Sequence, residues 1–162
     1  ILTFTYRNFR GVVPSRGEFD GQSQAQLHRA ETTLDEVDGA LYRCSFREAV
    51  RLIMYLAQEA NRYLDDQAPW KTIKESPEAS AKSVYTVLSV LSTLKTVFYP
   101  FLPFSSEKLH AFLGFEGSLK EAGWNFQPPV PGQKLRKPQP LFVKLDDSII
   151  DWETSRIGSV TD

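Results

Sequence analysis

The sequence is poor in the residues that build metal centres and disulfide frameworks. It has 1 cysteine, Cys44, and 2 histidines, His28 and His110, which stand far apart in the chain. A single cysteine cannot form an internal disulfide, and structural zinc sites need paired Cys or His ligands at short spacing. We therefore expect no metal site and a reducing compartment, the cytoplasm.

The sequence also lacks an excess of one charge, a glycine-rich loop and a long apolar run. The net charge is -1, which provides no basic field for binding DNA or a membrane surface. The 9 glycines are scattered singly rather than grouped in a phosphate-binding loop. The most apolar stretches are interrupted by Pro100 and Pro103 or contain Ser and Thr, so none predicts a membrane span. The residues themselves offer no catalytic or cofactor site.

The pattern that is present is helical, and it predicts an all-α fold, an antiparallel helix bundle, over residues 1–127. Apolar side chains recur at three- and four-residue spacing, which places them on one face of each helix. Ser45 and Glu48 fit a capping box at the start of one helix. The predicted helices are a first one ending at Gly11, then 22–43, 45–68, 76–99 and 105–114, with a further helical turn at 118–122. The last long helix is expected to be capped by Ser105 or Ser106.

The two ends of the chain differ from this bundle. Residue Ile1 already lies within an apolar pattern and is not a methionine, so we expect an excised piece of a longer protein whose first helix is truncated. Residues 128–162 begin with a Pro-rich linker, 128–140, typical of an extended segment. Residues 141–145 alternate weakly, as a short strand or an extended arm would. With its apolar residues, this arm is expected to pack on a domain outside the chain.

The most informative stretch is the corner between two predicted helices at residues 61–71. The residue before a proline is disfavoured in the α conformation, so the helix should end by Ala68, and Pro69 should open a short new helix. Trp70 then sits at a rigid turn, beside the acids Asp65 and Asp66, where its indole suits stacking on a planar ligand. The simpler interpretation is a packed tryptophan whose N–H bonds a carbonyl. Asn61, at the edge of the apolar face, is expected to bond the backbone of this turn.

Three segments resemble one family. Residues 61–71, with Asn-x-Tyr, an acidic pair and Pro-Trp-Lys, are similar to the anticodon-binding region of methionyl-tRNA synthetases. Residues 100–107, a proline-rich aromatic bend followed by Ser-Ser-Glu, resemble the bend before the last bundle helix of class I synthetases. Residues 140–146 resemble the C-terminal segment that folds back toward the catalytic domain. Together these segments cover most of the chain from about residue 45, whereas 11–43 is weakly diagnostic.

This resemblance implies a role for each residue of the corner. Trp70 would stack on an unstacked anticodon base of the methionine tRNA, and Pro69 would stiffen that platform. Asp65 would accept a hydrogen bond at the base edge or repel wrong bases, or it is simply a surface acid at the helix end. Asn61 would complete the anticodon-binding set by fixing the shape of the turn.

The resemblance also implies a division of labour. The parent enzyme would be a methionine–tRNA ligase that uses ATP, and the C-terminal arm would contact its catalytic domain. The chain lacks the His-x-Gly-His and Lys-Met-Ser-Lys-Ser signatures of class I synthetases, so it should catalyse nothing alone. It departs from the family in one place: the Asn-x-x-x-Arg pair of the first bundle helix is missing, since no arginine follows Asn8, Asn61 or Asn125 at that spacing. That pair is expected upstream of residue 1.

Two alternative functions remain at this point. A helical scaffold would bind another protein through Trp70 and the aromatic bend at 97–104. The equivalent domain of a leucine, isoleucine or valine synthetase would carry a similar bend, because the proline bend discriminates little among these enzymes.

Overall fold

The computed structural model describes residues 1–157 as a bundle of α-helices, which confirms the all-α prediction. Its helices are α1 (Leu2–Asn8), α2 (Gly21–Tyr42), α3 (Phe46–Gln67), α4 (Pro69–Thr72), α5 (Pro77–Val97), α6 (Pro103–Phe112), α7 (Leu119–Ala122) and α8 (Ser148–Ile157). Within residues 1–157 no strand forms, and one isolated antiparallel bridge joins Val12 to Lys134. No helix in this part of the chain combines the length and apolarity needed to cross a membrane.

The main core lies where α2, α3 and α5 meet. The link between α2 and α3 is only three residues long, 43–45, so the two helices pack as antiparallel neighbours. All three helices contribute small or branched apolar side chains, which allows close packing. The buried members are Ala30, Leu34, Val37 and Ala40 of α2, Ala49, Ile53, Leu56 and Ala60 of α3, and Val90, Leu94 and Val97 of α5. A second cluster joins α5 to α6 and to Val13 and Leu135.

Helix α5 lies at the centre of the bundle. Nearly all its residues from Ser83 to Val97 are buried, including several hydroxyl residues. A buried hydroxyl must find a partner, and most of these donate to the carbonyl four residues earlier in the same helix. Thr93 is the exception within residues 1–157, because its buried hydroxyl has no hydrogen-bond partner.

A buried lysine lies near the C-terminal end of α5. Lys95 is 1% exposed, and its ammonium group lies 4.6 Å from the ring centroid of Phe115. Burial lowers its pKa from 10.5 to about 8, and the nearby Glu107 carboxylate opposes that shift. The buried His110 also has a lowered pKa, first because of its own burial and second because of the Lys95 charge. Lys95 is therefore charged at neutral pH in a poorly solvated site.

Several helix boundaries differ from those predicted. The capping box at Ser45 is wrong: the Ser45 side chain makes no cap bond, and Glu48 instead pairs with Arg43 at 3.3 Å. The capping box that does form is at Ser118 and Glu121, on α7. The predicted cap at Ser105 or Ser106 is also wrong, because α6 already begins at Pro103, whose fixed φ suits the first helical position.

The Pro-rich segment is held against the bundle rather than lying free. Leu135 is buried in the second cluster, and its N–H donates to the Gly11 carbonyl at 2.8 Å. The neighbouring Gln133 carbonyl accepts from Val13 N–H at 2.9 Å. Gly114 permits this close approach, since a Cβ there would lie 1.9 Å from the Lys134 carbonyl oxygen. Residues 128–140 thus cover one side of the bundle.

The C-terminal arm follows this segment and has a different conformation from the one predicted. Residues 141–145 form no strand, and residues 148–157 form helix α8 rather than an extended chain. No residue of α8 is buried. The expected arm reached residue 162, and its last five residues lie outside the described part of the chain.

The buried lysine generates a prediction about stability. Lys95→Met should raise the free energy of unfolding at pH 7 by roughly 1 to 3 kcal/mol, because methionine removes a poorly solvated charge. Between pH 8 and pH 10.5 the unfolded chain binds the Lys95 proton while the folded protein has lost it, so wild-type stability rises with pH there. The advantage of methionine should therefore shrink across that interval. Urea denaturation at pH 7, 8 and 10 measures it.

Lys108→Met is the control, since Lys108 is exposed on the same bundle. Its effect on the free energy of unfolding at pH 7 should be small, because exposed charges contribute little to stability. A Lys95→Met advantage that stays constant up to pH 10 would contradict the assignment of a lowered pKa.

Candidate nucleic-acid interface

The corner predicted at residues 67–70 exists, and a left-handed residue makes it. Helix α3 ends at Gln67, α4 begins at Pro69, and Ala68 between them has φ 37° and ψ 60°. The Pro69 ring excludes the right-handed α conformation for the residue before it. A residue with a Cβ in the left-handed region costs roughly 1 to 2 kcal/mol. The sequence thus forces a sharp change of direction at this point, at a cost in stability.

The corner separates its proline from its tryptophan. Pro69 is buried, whereas Trp70, the next residue, is 45% exposed. The Trp70 indole makes no hydrogen bond, ring contact or cation contact with any other residue in the part of the chain described, 1–157. The interpretation in which the Trp70 N–H bonds a carbonyl is therefore wrong; the tryptophan that makes such a bond is Trp124, 37% exposed, which donates to the Leu34 carbonyl at 3.3 Å. Trp70 offers a planar apolar surface to solvent.

The charges around Trp70 are mixed and unpaired. Lys71 and Lys74 on one side, and Asp65 and Asp66 on the other, are all exposed. Within residues 1–157 none of these four forms an ion pair. The Asp65 carboxylate is consequently available to accept a hydrogen bond from a ligand, and the lysines are available for phosphate groups.

Asn61 does not form the hydrogen bond to the turn that its position suggested. It is exposed, and its side chain forms no hydrogen bond to the turn within residues 1–157. The prediction that it fixes the turn through a hydrogen bond is therefore wrong. Asn61 instead lines a groove of about 520 Å³ between α3, the start of α1 and residues 138–141.

The residues that do brace the corner come from distant parts of the chain. Ser80 on α5 donates to the Pro69 carbonyl at 3.1 Å, and Gln67 donates to the Gln22 side chain at 2.7 Å. Tyr63 and Ser23 share a buried hydrogen bond of 2.8 Å. Sequence reasoning missed these residues, because hydrogen bonds between residues 11 to 45 positions apart leave no local pattern.

An ion pair joins α5 to the start of α2. Lys82 lies 2.7 Å from Asp20, whose other carboxylate oxygen accepts from the Ser23 N–H at 2.8 Å and so caps α2. The Lys82 hydrogen bond, followed by the Ser23 N–H, lowers the pKa of Asp20 from 3.8 to about 2. This contact helps to hold the two helices that support the corner.

No described residues assemble into a metal centre at or away from the corner. Among residues 1–157, no three His, Cys, Asp or Glu side chains lie close enough together to hold an ion. At the corner, the exposed indole, carboxylates and ammonium groups offer stacking, hydrogen bonding and charge.

Comparison with known proteins assigns a family to this arrangement. A family model described as the anticodon binding domain of methionyl tRNA ligase matches residues 13–161. The methionine–tRNA ligase of Dehalococcoides mccartyi is 50% identical over 132 residues, which are 82% of this chain and 24% of that protein. The methionine–tRNA ligase of Pyrococcus furiosus is 39% identical over 158 residues, 97% of this chain and 21% of that protein.

Comparison with solved structures leads to the same family. The apo methionyl-tRNA synthetase of Mycobacterium tuberculosis matches with a TM-score of 0.81 and 25% identity, covering 90% of this chain and 30% of that one. The same enzyme in complex with methionyl-adenylate matches with a TM-score of 0.80 and 25% identity, covering 88% of this chain and 29% of that one. The chain thus spans less than a third of the length of these relatives. The matches favour a synthetase domain over the helical scaffold, and these relatives are methionine enzymes rather than leucine, isoleucine or valine enzymes.

The left-handed residue generates a prediction about the corner. Ala68→Gly should stabilise the domain by about 0.5 to 1 kcal/mol, because glycine relieves the left-handed strain and loses part of that gain as extra freedom in the unfolded chain. Chemical denaturation of the two proteins measures the difference. Ala57→Gly, in the interior of α3, is the matched control and should instead destabilise by about 1 kcal/mol. Equal losses from both substitutions would show that Ala68 is not strained.

Proposed function

The chain belongs to the family of anticodon-binding domains of methionyl-tRNA ligase, and from this we propose that it recognises the anticodon of the methionine tRNA, with Trp70 as the stacking platform. The observation that supports this most directly is the exposed indole, 45% accessible, on a corner that a buried proline stiffens. Proteins recognise RNA loops by stacking unstacked bases on aromatic faces and by hydrogen bonds to base edges. The geometry of the corner supplies both.

Each residue of the corner has a distinct role in this proposal. Trp70 covers one face of an anticodon base, and Pro69 fixes the backbone beneath it. Asp65 accepts a hydrogen bond from the base edge, and its charge disfavours bases that present an acceptor there. Asn61 lies one helical turn before Asp65 on α3, and its free amide extends the polar edge of the site.

Ligation itself belongs to another part of the parent protein in this proposal. That protein is a methionine–tRNA ligase that uses ATP, in the cytoplasm, where the lone Cys44 stays reduced. The support is the matched synthetase whose solved structure holds methionyl-adenylate, an activated form of methionine. The present domain contributes recognition of the tRNA and needs no cofactor.

The C-terminal arm provides the contact with that catalytic domain. Phe142, Val143 and Leu145 are all more than 60% exposed, and Ile150 and Trp152 on α8 are exposed as well. A contiguous apolar segment of this kind is unusual on the surface of a monomer and marks an interaction site. We infer that these side chains are covered by the catalytic domain in the intact protein.

The proposed stacking generates a prediction for the intact ligase. Base stacking is worth about 1 to 3 kcal/mol by alanine substitution. Trp70→Ala should therefore weaken binding of the methionine tRNA by roughly tenfold or more and lower kcat/KM for that tRNA. The rate of methionine-dependent ATP–pyrophosphate exchange, which requires no tRNA, should stay unchanged. Filter binding and aminoacylation assays measure these quantities.

Tyr42→Ala is the control for that experiment, since Tyr42 is an aromatic residue, 91% exposed, at the end of α2 remote from the corner. It should leave direct tRNA binding at the wild-type level. Unchanged tRNA affinity in Trp70→Ala would refute the role proposed for the corner.

The arm generates a separate prediction. Amide hydrogen exchange of residues 142–157 should be fast in the isolated domain, where none of α8 is buried, and slower by a factor of ten or more in the intact ligase. Residues 83–97 of the buried helix α5 serve as the internal reference, since they should be protected in both proteins. Equally fast exchange of the arm in the intact ligase would exclude docking.

A further inference from the structure

The helix that carries Trp70 is too short to determine its own direction. Helix α4 comprises only Pro69–Thr72, four residues. Isolated helices shorter than about 12 residues are marginal in water, so a single turn keeps its orientation only through contacts with its surroundings. The direction of the Trp70 indole must therefore be determined by a contact between α4 and the rest of the bundle.

Helix α4, with its buried Pro69, packs against α5, and one hydrogen bond joins the two helices. Ser80 is 0% exposed, and its hydroxyl donates to the Pro69 carbonyl at 3.1 Å. It is the only hydrogen bond that joins α4 to α5 in the part of the chain described, 1–157. The same carbonyl also accepts the Ile73 N–H at 3.0 Å, which closes the single turn of α4. Ser80 thus holds α4 at its first residue, Pro69.

The other hydroxyls of α5 behave differently. Ser83, Thr86 and Ser89 donate to carbonyls of their own helix four residues earlier, as buried serines and threonines in helices commonly do. The Ser83 hydroxyl also lies 3.4 Å from the Gln67 side-chain oxygen at the end of α3, but it makes no bond to α4. Ser92 reaches outward as well, but to the Gln127 carbonyl, away from the corner. The direction of the Ser80 bond is therefore a specific feature of this site and does not follow from its residue type.

The covalent geometry carries this constraint to the tryptophan. The Pro69 carbonyl belongs to the peptide group that joins Pro69 to Trp70, and that group is planar. Holding the carbonyl oxygen restricts rotation of this planar group and so restricts the position of the Trp70 Cα. We propose that Ser80 is a positioning residue for anticodon recognition, which by holding the Pro69 carbonyl sets the direction in which the Trp70 indole meets the base. This inference rests on the proposed function of Trp70.

The test compares two buried serines of the same helix in the intact ligase. Ser80→Ala removes the bond to the corner, and Ser89→Ala removes a bond of 2.9 Å within α5; both serines are 0% exposed. Ser80→Ala should weaken binding of the methionine tRNA by about threefold to tenfold, the loss typical of one hydrogen bond. Ser89→Ala should leave it unchanged. Thermal denaturation of both variants reports on their folding.

A double-mutant cycle separates positioning from a general loss of stability. If Ser80 acts through the indole, Ser80→Ala should cause no further loss of tRNA affinity in a Trp70→Ala background. A full additional loss in that background would overturn the inference. Equal effects of Ser80→Ala and Ser89→Ala in the wild-type background would overturn it as well.

A spectroscopic measurement tests the geometry without RNA. Protein labelled with 5-fluorotryptophan should give a fluorine NMR signal for each indole, assigned through Trp70→Phe. Ser80→Ala should shift or broaden the Trp70 signal and leave those of Trp124 and Trp152 in place. Ser80→Cys, similar in size with a weaker donor, should act in the same direction to a smaller extent, and it replaces the alanine variant if that variant does not fold.

The outcomes distinguish this inference from the function on which it rests. If Trp70→Ala weakens tRNA binding but Ser80→Ala changes neither the affinity nor the fluorine signal, only the role of Ser80 is wrong. If Trp70→Ala itself has no effect on tRNA binding, the proposed function of the corner fails and the role of Ser80 in recognition fails with it.

Discussion

The structure of the corner depends on a steric conflict between neighbouring residues. The Pro69 ring prevents Ala68 from continuing α3 in the right-handed conformation, and Ala68 adopts φ 37° instead. This reversal buries the proline and turns the next side chain, Trp70, outward. A glycine at position 68 would allow many directions at this point, whereas Ala followed by Pro allows few. Backbone sterics therefore set the position of the break, and contacts between α4 and the rest of the bundle keep the orientation of the exposed indole.

Those contacts come from α5, which also contains the buried lysine. Ser80 braces the corner from the N-terminal part of this helix, while Lys95 lies 15 residues further on, about 22 Å along the axis at 1.5 Å per residue. At that separation, perturbations of the two sites should be independent. The bundle can thus retain an unfavourably buried charge near one end without disturbing the geometry of the corner. Ordinary packing in the main core separates the two.

Local rules predicted the parts of the structure that local forces determine. The ends of α2 and α3, the break at Ala68 and the N-terminal proline of α4 follow from periodicity and proline sterics, and each lies within about one residue of its predicted place. The capping box at Ser45 does not form: the Ser45 N–H, which would donate to Glu48, donates to the Ala40 carbonyl at 2.8 Å, and Glu48 pairs with Arg43 instead. A motif at a helix start shows which side chains could cap the helix, and the surrounding fold determines which of them do.

At the candidate site, too, residues placed by local sterics were predicted, and contacts between helices were not. Trp70 and Pro69 were predictable, because a Pro-Trp sequence at a helix end has few conformations. Asn61 was misplaced, since a small rotation of α3 decides whether its amide faces the turn or the solvent. Ser80 and Gln67 could not be found from the sequence, because their partners lie in other helices. Side-chain hydrogen bonds between elements require the packed structure.

The balance of charges at the corner bears on the kind of nucleic acid it suits. Lys71 and Lys74 are opposed by Asp65 and Asp66, so the corner has no net positive field. Electrostatic attraction to phosphates provides most of the affinity of non-specific nucleic-acid binding, and here it is largely cancelled. A duplex, which displays phosphates and hides its base faces, gains little from such a surface. In the proposed function, an open loop would gain the stacking contact with Trp70 and a hydrogen bond to Asp65. On that proposal, the same acids that weaken general RNA binding would make the corner selective for unstacked bases.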